Sequence, residues 1–162
     1  MDRLFARLAR LLPGFWLGGL VCVAALATPA PFALLARADA GRVVGRMLAQ
    51  EAYASLLLGV VILLLERRAS ARAAAAGQGS QFGAGMVLAL GAVFCTVAGY
   101  FGLQPLMAAA RAGQGALSFG QLHAISAAFY AVKLVLVAVL AWRVASPDQG
   151  VAQPPAIRPP SS

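Results

Sequence analysis

Charge is what this chain has least of. Only 11% of its 162 residues are Asp, Glu, Lys or Arg, against about 25% in an ordinary soluble domain. The shortage is lopsided: 5 acidic residues stand against 13 basic ones, and Lys133 is the one lysine, all other basic residues being arginine. There are also just 1 histidine and 2 cysteines. Such a set cannot build a zinc site, which needs three or four clustered His, Cys or carboxylate ligands, and a single histidine excludes bis-His haem ligation within one chain. No nucleophile triad, phosphate loop or pair of catalytic carboxylates is found. Neither a metal nor a cofactor is therefore expected, and the chain does not read as an enzyme. What is abundant is apolar surface, with 61% hydrophobic residues and a mean hydropathy of +0.81. That composition belongs to an integral membrane protein. At ~20 residues per spanning helix the length admits about four spans and no separate soluble domain, so the expected fold is all-α, a polytopic membrane four-helix bundle.

The expected divisions are a basic tail at residues 1–10, a four-span domain at 11–143 with helices at about 11–35, 44–65, 82–106 and 119–143, and a disordered tail at 144–162. The second apolar run, Ala52 to Leu65, reaches spanning length only if its helix begins near Val44, which draws Arg46, Gln50 and Glu51 into the first turns. Glu66 to Gln81 reads as a connector. The tail carries Pro147, Pro154, Pro155, Pro159 and Pro160 without apolar periodicity. Ala25-Leu26-Ala27 also resembles a secretory cleavage site, but the apolar run continues past it to Leu35, beyond the ~7–15 residues of a signal core. Retention of the first helix is the expectation.

Orientation follows from Lys and Arg, which short cytoplasmic loops retain. Arg3, Arg7, Arg10, Arg67, Arg68, Arg72, Arg143 and Arg158 fall on the side of the two tails; Arg37, Arg42, Arg46 and Arg111 fall on the other. Both termini are expected in the cytoplasm of a bacterial inner membrane, in a multi-pass protein with Trp16 and Trp142 at the inner interface. The arginines are dispersed along membrane boundaries, so no nucleic-acid stripe forms. The expected partners are the lipid bilayer and a second copy or a membrane complex. Gly14 with Gly18 and Gly41 with Gly45 have the small-xxx-small spacing that lets helices approach closely, within the bundle or between copies.

Lys133 stands out among the spans. Ten residues before Arg143, it lies ~15 Å from the inner boundary and near the bilayer centre. An ionisable group there costs at least ~2.5 kcal/mol unless it snorkels, pairs or loses its proton, so it is read as facing the bundle interior. His123, Ser126, Tyr130 and Lys133 follow one another at helical spacing on one face. A polar stripe of this kind turns away from lipid and glues helices together by hydrogen bonds, and no second strongly charged site is expected at the same depth. A separate group, Glu51, His123 and Gln104, is expected within ~8 Å of the outer boundary, where structural pairing competes with proton relay. Cys22 and Cys95 read as small buried residues rather than a disulfide.

Pro31 is followed by Ala36-Arg37-Ala38 and Gly41, and Pro105 by Ala110-Arg111-Ala112 and Gly115, at identical offsets. A duplicated helical hairpin and chance in an Ala-rich chain both account for this echo. Taken together, Pro31-Phe32, Ala40-Gly41 with Gly45, Gln104-Pro105 and His123-x-x-Ser126 make the chain resemble the four-helix family of transmembrane protein 205, whose bacterial members form domain of unknown function 4149. The resemblance covers about residues 10–143 and implies a small integral membrane protein without an assigned reaction. Family members often have an acidic residue where Gln104 stands and Asn where Tyr130 stands. The leading functional expectation is a non-enzymatic bundle that binds or passes a small solute or ion or supports a membrane complex. The alternative is a membrane enzyme or redox accessory using His123 and Lys133.

Overall fold

The computed structural model describes residues 2–77 and 82–146; from Pro147 onward the tail expected at 144–162 lies outside the described residues. Among the described residues, four rods, each long and apolar enough to cross a membrane, make up the bundle. The first joins α1 (Asp2–Cys22), a π-helical turn (Val23–Ala27) and α2 (Pro29–Leu34). The second is the uninterrupted α3 (Arg37–Ala75). The third joins α4 (Ala84–Thr96), a second π-helical turn (Val97–Gly102) and α5 (Gln104–Arg111), and the fourth is α6 (Phe119–Ala145).

The breaks in the first and third rods follow from proline. Pro29, Pro31 and Pro105 lack the N–H that would continue an i→i−4 ladder, and a wide turn just before them absorbs the mismatch. At the first break the Thr28 N–H and Oγ1 both donate to the Val23 carbonyl, at 2.9 and 2.8 Å. The two π turns begin at the same separation in sequence as Pro31 and Pro105. The helical hairpins α1–α3 and α4–α6 thus share a local irregularity as well as the echo in their residues. The start of α6 is fixed differently: Ser118 and Gln121 exchange hydrogen bonds in a capping box, satisfying two otherwise orphaned donors.

Helix α1 packs on α3 and α6, and α4 packs on the same two, so α3 and α6 face each other across a diagonal. The core joins all four rods through Trp16 and Leu20 of α1, Ile62 of α3, Ala89 and Ala92 of α4, and Val137 and Leu140 of α6. It occupies the half of the bundle nearer the start of α1 and the end of α6, hereafter the tail end; the α2–α3 and α5–α6 connections mark the loop end.

Several local expectations are corrected. Residues 2–10 are the first turns of α1 rather than a separate tail, and α3 extends well beyond 44–65, from Arg37 to Ala75. At ~1.5 Å per residue α3 is ~58 Å long, far more than the ~30 Å hydrocarbon layer. Hydropathy delimits only what lies in lipid, while a helix runs on until its backbone is interrupted. Trp16 is not an interfacial anchor but a core residue, 2% exposed, whereas Trp142 is 77% exposed. Gly14, Gly18, Gly41 and Gly45 have nothing within 4 Å of the position a Cβ would occupy, so none of them serves close packing inside the bundle. That role falls to Gly59, where an added Cβ would lie 2.5 Å from Val93 Cγ2, and to Gly99, where it would collide with Phe129 Cβ. The Phe129 Cβ is fixed by its backbone and cannot swing away. Gly99→Val is therefore expected to destabilise the bundle by about 1–3 kcal/mol through overpacking, read as a lower midpoint of thermal unfolding in detergent; an unchanged midpoint would show that the second π-helical turn and α6 are free to separate.

Candidate functional site

Glu51 and Lys133 form an ion pair on the bundle diagonal. Each lies fourteen residues from the start of its helix, Arg37 for α3 and Phe119 for α6, hence ~21 Å below the loop end in both. The Lys133 ammonium donates to Glu51 Oε1 at 2.8 Å and Oε2 at 3.0 Å, and the two side chains are only 3% and 9% exposed. The expectation that no second charge shares the depth of Lys133 is overturned. Its source is the position of the helix start: a beginning near Val44 leaves Glu51 in the first turns, whereas the actual start at Arg37 carries it to mid-depth.

The pair belongs to a closed network over three helices. Trp16 Nε1 donates to Ser55 Oγ at 2.8 Å, and the Ser55 hydroxyl donates to Glu51 Oε1. Lys133 Nζ also approaches Ser55 Oγ at 3.5 Å and sits 4.5 Å from the centre of the Tyr130 ring. Tyr130 then returns to α1 by donating to the Leu20 carbonyl at 2.9 Å. Ser126 ties α6 to the third rod, donating to the Gly99 carbonyl at 2.7 Å. Among the described residues no buried side-chain nitrogen or oxygen lacks a partner. A buried ion pair is costly unless its remaining hydrogen-bonding capacity is met, and here Ser55 and Tyr130 surround it.

Above the network the rods splay. They enclose a cavity of about 1030 Å³ that is lined by all four and reaches from Arg37, Arg111 and Phe119 at the loop end down to Glu51 and Lys133. All six polar candidates, Lys133, His123, Ser126, Tyr130, Glu51 and Gln104, line this vestibule. The expected stripe on α6 therefore does share one face. The expected outer grouping does not assemble: Glu51 bonds Lys133 and Ser55, while His123 is exposed and stacks on Phe119 at a ring separation of 5.9 Å. Ten residues, or ~15 Å of helix, separate His123 from Lys133, so the two do not act on one atom. Below the ion pair, Val137, Leu140, Ile62 and Ala89 close the bundle with apolar side chains. A second, smaller cavity of about 340 Å³ lies between α1 and α3; Glu51 lines both cavities and Ser55 the smaller one.

Ser55 and the buried role of Trp16 went unnoticed in the sequence. Their signal was available for Ser55, which stands four residues after Glu51 on the same helix face. For Trp16 only the tertiary packing supplies it.

A family profile described as a domain of unknown function, DUF4149, matches residues 11–116. The chain belongs to the DUF4149 family. No curated protein and no solved structure matches it. The DUF4149 match contains Trp16, Glu51, Ser55, Gly99 and Gln104, and it stops before α6. The carboxylate of the ion pair thus lies within the DUF4149 segment and its ammonium partner beyond it. Among the described residues no group of three or more His, Cys, Asp or Glu is placed to hold a metal ion.

Proposed function

We propose that this protein is a multi-pass bundle of a bacterial inner membrane, with both termini cytoplasmic, that holds a small solute in the vestibule. The observation that carries the reading is the shape of the interior: an open chamber that ends at mid-depth on a charged pair, with an apolar plug beneath it. A few convergent polar groups in a largely apolar chamber are what small-molecule sites are built from. An intramembrane ionisable pair marks a solute or ion pathway more often than a purely mechanical contact. The orientation is supported by the arginine asymmetry, and retention of the first helix by the core positions of Trp16 and Leu20.

The reading requires water in the vestibule. In a Cys22→Ala, Cys95→Ala background, Ala127→Cys on the vestibule wall is expected to react with a membrane-impermeant maleimide added from the periplasmic side of spheroplasts. Val135→Cys, on the outer surface of the same helix, is expected to stay unlabelled. Equal protection of both positions would remove the chamber and the reading with it. Labelling from the cytoplasmic side alone would reverse the orientation.

A further inference from the structure

The charges lining the vestibule are unbalanced. Arg37, Arg42, Arg111 and Lys133 contribute four cations and Glu51 one carboxylate. Arg42 is paired with Asp39. Arg111 lies 4.5 Å over the Phe119 ring, and among the described residues neither it nor Arg37 forms an ion pair with a carboxylate. Low-dielectric walls focus such a field and concentrate counter-ions of opposite sign. Between the cationic mouth and the floor the walls carry Phe32, Val44, Leu48 and Met107, which suit an apolar body.

We infer that the solute is a small amphipathic organic anion, and that its carboxylate replaces Glu51 on the Lys133 ammonium. This rests on the solute-binding reading above. Glu51 and Lys133 both line the chamber, so an anion descending from the arginines meets the ammonium at the floor. Two carboxylates cannot share one ammonium without repulsion. As the ligand binds, Glu51 takes up a proton from the bulk solution through the vestibule and keeps the Ser55 hydroxyl as a hydrogen-bonding partner. One anion and one proton enter together, and the net charge of the site is unchanged. The titratable groups facing Glu51 are Lys133 and Tyr130 from α6 and Cys95 from α4; α1 presents only Trp16, through Ser55. Glu51 is thus an internal stand-in for the ligand's own carboxylate.

The full chain in phosphatidylcholine nanodiscs, dialysed against labelled benzoate, benzylammonium and benzyl alcohol over a pH series, tests this. Benzoate is expected to bind, with an affinity that falls about tenfold per pH unit while one proton is taken up. Glu51→Gln mimics the protonated acid, so it is expected to tighten benzoate about tenfold or more and to flatten the pH dependence; losing a charge-assisted hydrogen bond in Lys133→Gln is expected to weaken it by about tenfold or more. Should Lys133→Gln fail to fold, Arg37→Gln with Arg111→Gln serves instead, expected to slow association and reduce its salt dependence. Preferential binding of benzylammonium, abolished by Glu51→Gln, would overturn the anion and leave the solute reading standing; so would benzyl alcohol binding as well as benzoate. Binding of none of the three, with the protein folded, would overturn both. Loss of benzoate binding in discs doped with phosphatidylglycerol would make the anion a lipid headgroup and overturn a free solute; unchanged binding supports the free solute.

Discussion

Lys133→Met is expected to lower the stability of the bundle by about 3–5 kcal/mol, because removing one member of a buried ion pair strands the other. Glu51 would keep Ser55 but lose the ammonium that meets both of its oxygens. The informative comparison is the double variant Glu51→Leu, Lys133→Met. Replacing a buried pair by apolar groups of similar volume is often neutral or stabilising, so the double variant is expected to recover most of the loss. Such non-additivity is what neighbours sharing one interaction show in a double-mutant cycle. Denaturation in micelles, followed by helix content, measures Lys133→Met, Glu51→Leu and the double variant. Equal losses in the single and double variants would show that volume matters at this site and charge does not.

The second large effect is expected at the core beneath the pair. Trp16→Ala should cost about 3–5 kcal/mol, the range for truncating a buried tryptophan, since the ring packs in the cluster shared by all four rods and its Nε1 holds Ser55. Trp16→Phe separates the two contributions and is expected to lose about 1 kcal/mol for the hydrogen bond. Trp142→Ala, at an exposed ring, is expected to stay within about 0.5 kcal/mol of the parent. Comparable losses at Trp16 and Trp142 would put Trp16 back at the interface.

These two residues also show what could be read in the sequence. Lys133 was legible because a lone cation in an apolar run has no place in lipid; its spacing to Tyr130 and Ser126 gave the face it shares with them. Glu51 was visible but misplaced, since its depth depends on where α3 starts. The six residues between Arg37 and Val44 contain Asp39 and Arg42, whose charges end a hydrophobic segment without ending a helix. Trp16 stands near an expected span end, and its burial comes from residues of the other three rods that pack against it. The four spans are legible because each rests on many apolar residues at once. The diagonal pairing rests on two residues and on a register that no single helix encodes.

The closed network has a consequence during synthesis. Glu51 precedes Lys133 by 82 residues, so at roughly 5–20 residues per second the carboxyl is made several seconds before its ammonium. During that interval α1 and α3 contain both partners of the Trp16–Ser55 hydrogen bond, but the acid at mid-depth has no cation. The first hairpin is therefore committed to the bilayer only provisionally. A chain truncated before α6 is expected to hold α3 less firmly in the bilayer, because its unpaired acid is costly at that depth; greater protease sensitivity than in the full chain is the readout.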